Sequence, residues 1–257
     1  MGIDYTTVTE VPGNRVTQEQ LERMFHRYCF AANFSTGKDI LEVACGAGQG
    51  LNYLAKRAKK AFGGDYTERL IKEAKRFYQE KLPLLRLDAH FLPFVEHCFD
   101  VVILYEAIYY LTQPEKFFYE ARRVLRKDGV LLVATVNKDW PEFNPSPFST
   151  HYFSVPELSH QLQSNGFAVE VYGAFSVVPK TVKEKMIATV RKCAIAFHLI
   201  PKTMKGKEFL KKIFYGKLLL LREEIEDGMC EYVPPAPIPS DIPNFEYKVI
   251  YAVAKVV

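Results

Sequence analysis

Long apolar runs are missing from this 257-residue chain: nowhere do about 18 uncharged apolar residues follow one another, which argues against a membrane-spanning helix. The opening stretch MGIDYTTVTEVPGNR has neither the basic start nor the apolar centre of a secretory signal. Gly2 and Thr6 fit the myristoylation pattern, but that pattern is short and often matched by chance. The five cysteines, Cys29, Cys45, Cys98, Cys193 and Cys230, are odd in number, scattered and without a C-x-x-C pair. They read as reduced thiols of a cytosolic protein, with neither a zinc site nor a disulfide framework. A strong charge excess is missing too. The net charge is only +4 and no aromatic–basic recognition motif is present, which argues against nucleic acid as a partner. What remains is 48% apolar and 25% charged, the balance of a globular enzyme long enough for one large core.

The pattern along the chain is alternating. TQEQLERMFHRYCFAAN places Leu21, Met24, Phe25, Tyr28 and Ala32 on one helical stripe, and Thr17 with Gln20 suits a capping box. DILEVA then reads as a strand, QGLNYLAKRAKK as a helix, AFGGD as a strand and TERLIKEAKRFYQEKL as a helix. LLRLDA and FDVVILYE are further strands, PEKFFYEARRVLRKDG is a helix ended by glycine, and GVLLVATV is a fifth strand. Apolar strands separated by amphipathic helices imply a parallel sheet covered on both faces, a doubly wound α/β architecture. Residues 137–153, NKDWPEFNPSPFSTHYF, carry three prolines and no period, as expected of a lid or substrate wall. VPELSHQLQSNGF and FAVEVYGAF continue as helix and strand, and EYKVIYAVAKVV supplies a last strand after the Pro-rich connector VPPAPIPSDIPN.

In doubly wound sheets a ligand sits beyond the carboxyl ends of the strands, where the turn of ILEVACGAGQG lies. Gly46, Gly48 and Gly50 run G-x-G-x-G, and Leu51 stands where a dinucleotide fingerprint needs its third glycine. The turn has no lysine and no G-K-[ST], so the dinucleotide and phosphate-loop readings both lose ground. With Glu42, Ala44, Cys45, Gly46 and Gly48 the segment resembles the first motif of class I S-adenosylmethionine-dependent methyltransferases, although Ala44 replaces the usual first glycine. A turn without side chains lets the cofactor's amino-acid tail approach the backbone, and a following helix offers its positive end to the carboxylate. Three more stations keep the family's order. Asp65, 17 residues beyond Gly48, stands where the resemblance implies a carboxylate on both ribose hydroxyls, with Tyr66 against the adenine. Asp88 and Ala89 resemble the adenine-edge station, and Tyr105 with Glu106 the loop lining the methionine portion.

The resemblance covers residues 15–175 and is nearest to the ubiquinone/menaquinone-like, type 11 branch. HRYCFAANFSTGKDILEVACGAG also resembles small methyltransferases of saccharide and surface-polymer pathways, in which a basic and an aromatic residue of the first helix close over the cofactor's tail. Arg27 and Tyr28 match those positions. The implied fold is a seven-stranded mixed sheet, ordered 3-2-1-4-5-7-6 with its last strand antiparallel, preceded by an N-terminal helix and carrying a helical insertion. Residues 1–257 are expected as one domain: a helical cap over 1–36, a cofactor-binding core over 37–175, a lysine-rich helical insertion over 176–232, and a connector with the last strand over 233–257.

Methyl transfer from a sulfonium is an in-line displacement in which the protein mainly aligns and dries the site. An oxygen or activated-carbon acceptor also needs a base. His151, in the long loop, is a candidate, with Tyr152 beside it to position a hydroxyl. Glu106, Tyr109 and Tyr110 follow the fourth strand, where the family places acceptor-side groups. His90 and His97 stand either side of FLPFVE with no second ligand pair, so no metal is expected. Within 180–217 there are eleven Lys or Arg but only Glu184 and Glu208 as acids. Such a segment is either the solvated face of a lid or, across 180–221, a surface for anionic lipid at the inner membrane face. The expected acceptor is a sugar or other surface-polymer precursor, small or lipid-linked, with a quinone-like ring as the alternative. A nicotinamide oxidoreductase and a non-catalytic cofactor-binding protein are the readings from other classes.

Overall fold

Strand residues of this chain are apolar in adjacent pairs, and the pairs part company across the sheet. The computed structural model describes residues 4–79, 81–177 and 218–257. Its elements are β1 (Arg15–Val16), α1 (Gln18–Ser35), β2 (Asp39–Val43), α2 (Leu51–Ala55), β3 (Lys60–Asp65), α3 (Glu68–Tyr78), β4 (Leu84–Arg86), β5 (Phe99–Tyr105), α4 (Pro114–Val124) and β6 (Leu125–Val136). There follow α5 (Val155–Ser164), β7 (Phe167–Ser176), β8 (Leu219–Leu220), β9 (Ala236–Ile238) and β10 (Tyr247–Val256). Single 3-10 turns stand at Tyr5–Thr7 and Ile108–Tyr110. Ile40, Val101 and Ile103 pack with Leu21, Met24, Phe25 and Leu54 on one face; Leu41, Val102 and Leu104 pack with Phe117, Ala121 and Leu158 on the other. Two covered faces are why β2 and β5 read as continuous apolar runs.

The main sheet has the order β4-β3-β2-β5-β6-β10-β7-β9. β2 is parallel to β3 and β5, β5 to β6, and β3 to β4, while β10 is antiparallel to both β6 and β7. The expected order and the antiparallel last strand are therefore present, but the strand count is eight rather than seven. The extra strand comes from the Pro-rich connector. Ala236–Ile238 pairs with β7 at the sheet edge, with Pro237 opposite Tyr172. An edge strand tolerates a residue that cannot donate, because one of its sides needs no ladder bond.

Two boundaries also differ from the sequence pattern. The helix expected to run to Gly129 ends at Val124, and β6 begins at once with the fully buried Leu125. Extended backbone lets Arg126 reach Asp39 at 2.9 Å and Asp100 at 2.8 Å. The helix after the glycine turn is only Leu51–Ala55, so its dipole is small. The capping box of α1 is present: the Thr17 hydroxyl accepts from Gln20 N, and Gln20 Oε1 accepts from Thr17 N.

Residues 218–232, expected to belong to an insertion, are fastened to the core. β8 pairs antiparallel with β1, Asn52 donates to Glu224 at 2.8 Å, and Tyr53 donates to Asp227 at 2.8 Å. Arg57 holds both oxygens of Asp227, at 2.8 and 2.7 Å. Residues 178–217 of the lysine-rich segment lie outside the described residues. Among the described residues no helix is long and apolar enough to cross a membrane.

Candidate active site

The carboxyl ends of β2, β3, β4 and β5 open on one cavity of about 580 Å³, closed from the side by α1 and by residues 5–10. The turn after β2 forms its floor. Ala44 and Gly46 have φ of 59° and 57°, and Gly48 has φ of 78°. Left-handed backbone costs a residue with a Cβ about 1 kcal/mol, so Ala44 is a strained choice of small residue. At Gly46 an added Cβ would lie 3.2 Å from Thr9 Cγ2. At Gly48 the carbonyl accepts from Tyr78 Oη at 2.8 Å, on the side away from the cavity.

Asp65 ends β3 and faces this turn. One carboxylate oxygen accepts from Gly46 N at 2.9 Å and the other from Thr67 N at 2.8 Å. A single side chain thereby fixes the glycine turn to the start of α3, and each oxygen keeps a second lone pair. Burial holds its carboxyl above the usual range, against the two backbone hydrogen bonds. Tyr66, next in sequence, is partly exposed, and its ring meets Tyr5 edge-on at 6.3 Å.

Asp88 follows β4. Its Oδ1 accepts from His90 N at 2.9 Å and lies 2.6 Å from His90 Nδ1. His90 Nε2 accepts from the Gln113 amide at 3.4 Å, so the ring proton is assigned to Nδ1 and donated to Asp88. At the end of β5, Tyr105 Oη is buried on the cavity wall without a partner among the described residues, as is Arg27 Nε. Glu106 has φ of 51° and accepts from Tyr109 Oη at 3.1 Å. Arg27 Nη1 lies 3.8 Å from Glu106 and Nη2 lies 3.5 Å from Glu10.

Thirteen of the seventeen anticipated site residues line the cavity: Arg27, Tyr28, Ala44, Cys45, Gly46, Asp65, Tyr66, Asp88, Ala89, Tyr105, Glu106, Tyr109 and Tyr110. Gly48, Glu42, His151 and Tyr152 do not. Gly48 faces Tyr78, as described. Glu42 is 1% exposed behind the turn, where Tyr28 Oη donates to it at 2.5 Å. Burial pushes its carboxyl up to about 7, opposed by the Tyr28 hydrogen bond and by Arg27. His151 is half-exposed, 3.9 Å from Glu157 and edge-on to Phe153, so the fold does not bring it to the cavity.

The long loop proves to be a fastened wall. Thr150 bonds to the carbonyls of Tyr109 and Leu111 at 2.7 and 2.8 Å, and Tyr152 stacks on Tyr109 at 4.4 Å. Of residues 137–153 only Ser146 reaches the cavity, bonded to Tyr110 Oη at 2.8 Å. Tyr152 Oη accepts from Ser146 N rather than facing the cavity. Tyr5, Thr9, Glu10, Gln20, Arg23 and His90 also line the cavity without having been anticipated. The helical spacing of Gln20, Arg23 and Arg27 was a usable signal; the aperiodic segment 5–10 offered none. Among the described residues no group of three or more His, Cys, Asp or Glu could hold a metal ion.

Residues 41–133 match the family model described as a methyltransferase domain. Over that span the core is similar to a methyltransferase domain. The methyltransferase match contains the glycine turn, Asp65, Asp88 and Glu106, while α1 and the last strands lie outside it. The chain is 32% identical over 155 residues to a probable S-adenosylmethionine-dependent methyltransferase of Mycolicibacterium smegmatis, covering 58% of this chain and 56% of that protein. It is 38% identical over 112 residues to phthiotriol/phenolphthiotriol dimycocerosates methyltransferase 1 of Mycobacterium ulcerans, covering 42% of this chain and 41% of that one. The chain thus spans about half the length of the curated relatives it matches. The crystal structure of the YcgJ protein of Bacillus subtilis shares the fold, with a TM-score of 0.57 and 18% identity over 93% of this chain and 98% of that one.

Proposed function

We propose that this protein is an S-adenosylmethionine-dependent methyltransferase acting on a small or lipid-linked hydroxyl acceptor, with sugars and surface-polymer precursors the first class to test. The observation that carries the reading is Asp65: a buried carboxylate at the end of β3, on the cavity wall, hydrogen-bonded to the glycine turn of β2. A buried carboxylate in that place suits a vicinal diol, to which it can accept twice. The unpartnered Tyr105 Oη and Arg27 Nε fit the polar tail of the cofactor, and Asp88 keeps an oxygen for a donor such as an exocyclic amine. When bound, S-adenosylmethionine supplies an electrophilic methyl group. The chain's own part is alignment, exclusion of water and removal of the acceptor's proton.

Glu106 is the residue we assign to that proton. It lines the cavity beyond β5, and burial raises its carboxyl toward working pH, against Arg27, Arg23 and Tyr109. Tyr110, held by Ser146, borders the same space and would orient the acceptor. The tyrosines Tyr5, Tyr66 and Tyr110 give the cavity an amphipathic wall that suits a ring or an acyl-bearing acceptor. A relative whose name specifies a lipid acceptor, the dimycocerosates methyltransferase, supports the lipid-linked class. The lysine-rich stretch 180–217 would then assist by contact with anionic lipid.

Calorimetry with S-adenosylhomocysteine and NAD, followed by a radiolabelled methyl-transfer screen over sugars, nucleotide-sugars, lipid hydroxyls and quinones, tests the reading. Binding of NAD in place of S-adenosylhomocysteine would overturn it. Cofactor binding without transfer to any acceptor, cell extracts included, would leave a non-catalytic binder. Co-sedimentation with anionic vesicles at low salt tests the membrane contact, and failure to pellet removes it.

A further inference from the structure

Glu10 sits on the N-terminal segment, outside every motif, and yet it is held in a defined place. The capping box of α1 fixes Gln20, and Gln20 Nε2 donates to Glu10 Oε1 at 3.4 Å. The other oxygen, Oε2, lies 3.5 Å from Arg27 Nη2. The opposite nitrogen of the same guanidinium, Nη1, lies 3.8 Å from Glu106 Oε1. One cation therefore stands between two carboxylates, using a different nitrogen for each.

We infer that Glu10 is a positioning residue for Glu106: by holding one side of the Arg27 guanidinium it keeps that cation from fully neutralising the Glu106 carboxylate, so that Glu106 stays a usable base. The inference rests on the assignment of Glu106 to the acceptor's proton. The physical reason is the sharing of one charge. A guanidinium paired with a lone carboxylate in a buried site stabilises its ionised form strongly, which makes a poor base. A second carboxylate on the far side withdraws part of that stabilisation and adds its own repulsion. The other groups facing Glu106 do not replace this effect. Arg23 and Arg27 come from α1, Tyr109 and Tyr110 from the 3-10 turn after β5, Tyr152 from the loop after β6 and Tyr251 from β10. Of these only the two arginines are charged at neutral pH, and both favour ionised Glu106. Glu10 is the opposing charge.

The test needs no acceptor. The Glu106 carboxyl is followed by carbon-13 NMR in protein labelled at glutamate, its resonance assigned by its disappearance in Glu106→Gln. In Glu10→Gln the midpoint is expected to fall by about 0.5–1 pH unit, the scale of removing one charge several ångströms away at an effective dielectric near 20. Glu10→Asp, which keeps the charge, is expected to restore most of the wild-type midpoint. Midpoints that agree between wild type and Glu10→Gln, with both proteins folded by circular dichroism, would overturn the inference. A failure of the functional reading looks different: S-adenosylhomocysteine would not bind at any pH, whatever Glu106 does.

Discussion

A Cβ placed on Gly50 would fall 1.9 Å from Cζ of Tyr28, so the tyrosine ring occupies the space that any side chain at position 50 would need. The backbone at Gly50 is ordinary, with φ of −94° and ψ of −18°, and sets no demand for glycine of its own. The third glycine of the turn is thus a packing glycine. It lets α1 press Tyr28 against the turn, within hydrogen-bonding reach of Glu42.

That relationship makes Gly50→Ala an overpacking change rather than a backbone one. A loss of about 1–3 kcal/mol is expected, the usual cost of an extra methyl in a filled core. In a Tyr28→Ala background the same substitution should cost less than about 1 kcal/mol, because the obstacle is gone. Urea midpoints of the four proteins measure this. Strictly additive losses would show that the ring is not what excludes a side chain at position 50.

Glu42 gives the protein a pH-dependent stability of known sign. Its ordinary value of 4.5 is raised to about 7 in the fold. Between those values the native protein holds a proton that the unfolded chain has lost, so stability falls as pH rises through that window and levels off above it. Glu42→Gln keeps an acceptor for Tyr28 and removes the titration. The variant should be more stable than wild type above pH 7, by up to about 3 kcal/mol. Denaturation midpoints taken from pH 5 to pH 8 decide the matter, and parallel curves would refute the assignment.

Asp65 holds the glycine turn and, on the proposed function, the cofactor, and two substitutions weigh these roles. Asp65→Ala removes the acceptor of Gly46 N and Thr67 N, and with it the charge facing the cavity. Affinity for S-adenosylhomocysteine should weaken by about 1.5–3 kcal/mol, the scale of hydrogen bonds to a charged group. Asp65→Asn keeps one acceptor oxygen and should lose less. Calorimetric affinities equal to wild type in both variants would remove Asp65 from the cofactor's contacts.

The parts of this molecule that were legible in its sequence are those set by local period or by spacing along the chain. β2, β3 and β5, the stripe of α1, the glycine turn and the acids at 65 and 88 all belong to that class. What escaped depends on distant segments meeting. Glu10 and Tyr5 lie on an aperiodic stretch and are held at the cavity by side chains from other elements, Glu10 by Gln20 and Arg27 and Tyr5 by Tyr66 and Tyr110. β9 was hidden because Pro237 reads as a strand breaker, a rule that lapses at a sheet edge. His151 looked well placed because its loop leaves the carboxyl end of β6. The contacts of Thr150 and Tyr152 with the 3-10 turn then direct that loop so that His151 meets Glu157 instead.

The last contrast decides which residue takes the acceptor's proton. Glu106→Gln preserves size, and its amide oxygen can still accept from Tyr109 Oη, so the wall should stand and S-adenosylhomocysteine affinity should change by less than about 3-fold, well under the tenfold that corresponds to 1.4 kcal/mol. Methyl transfer should fall by about 10²–10⁴, the range for loss of a general base. His151→Ala, at a half-exposed site away from the cavity, should change neither quantity. Single-turnover transfer with saturating cofactor separates the two variants, since product release then plays no part. A slow His151→Ala beside a full-speed Glu106→Gln would return the role to the histidine, and would mean that residues 146–153 swing inward when the acceptor binds.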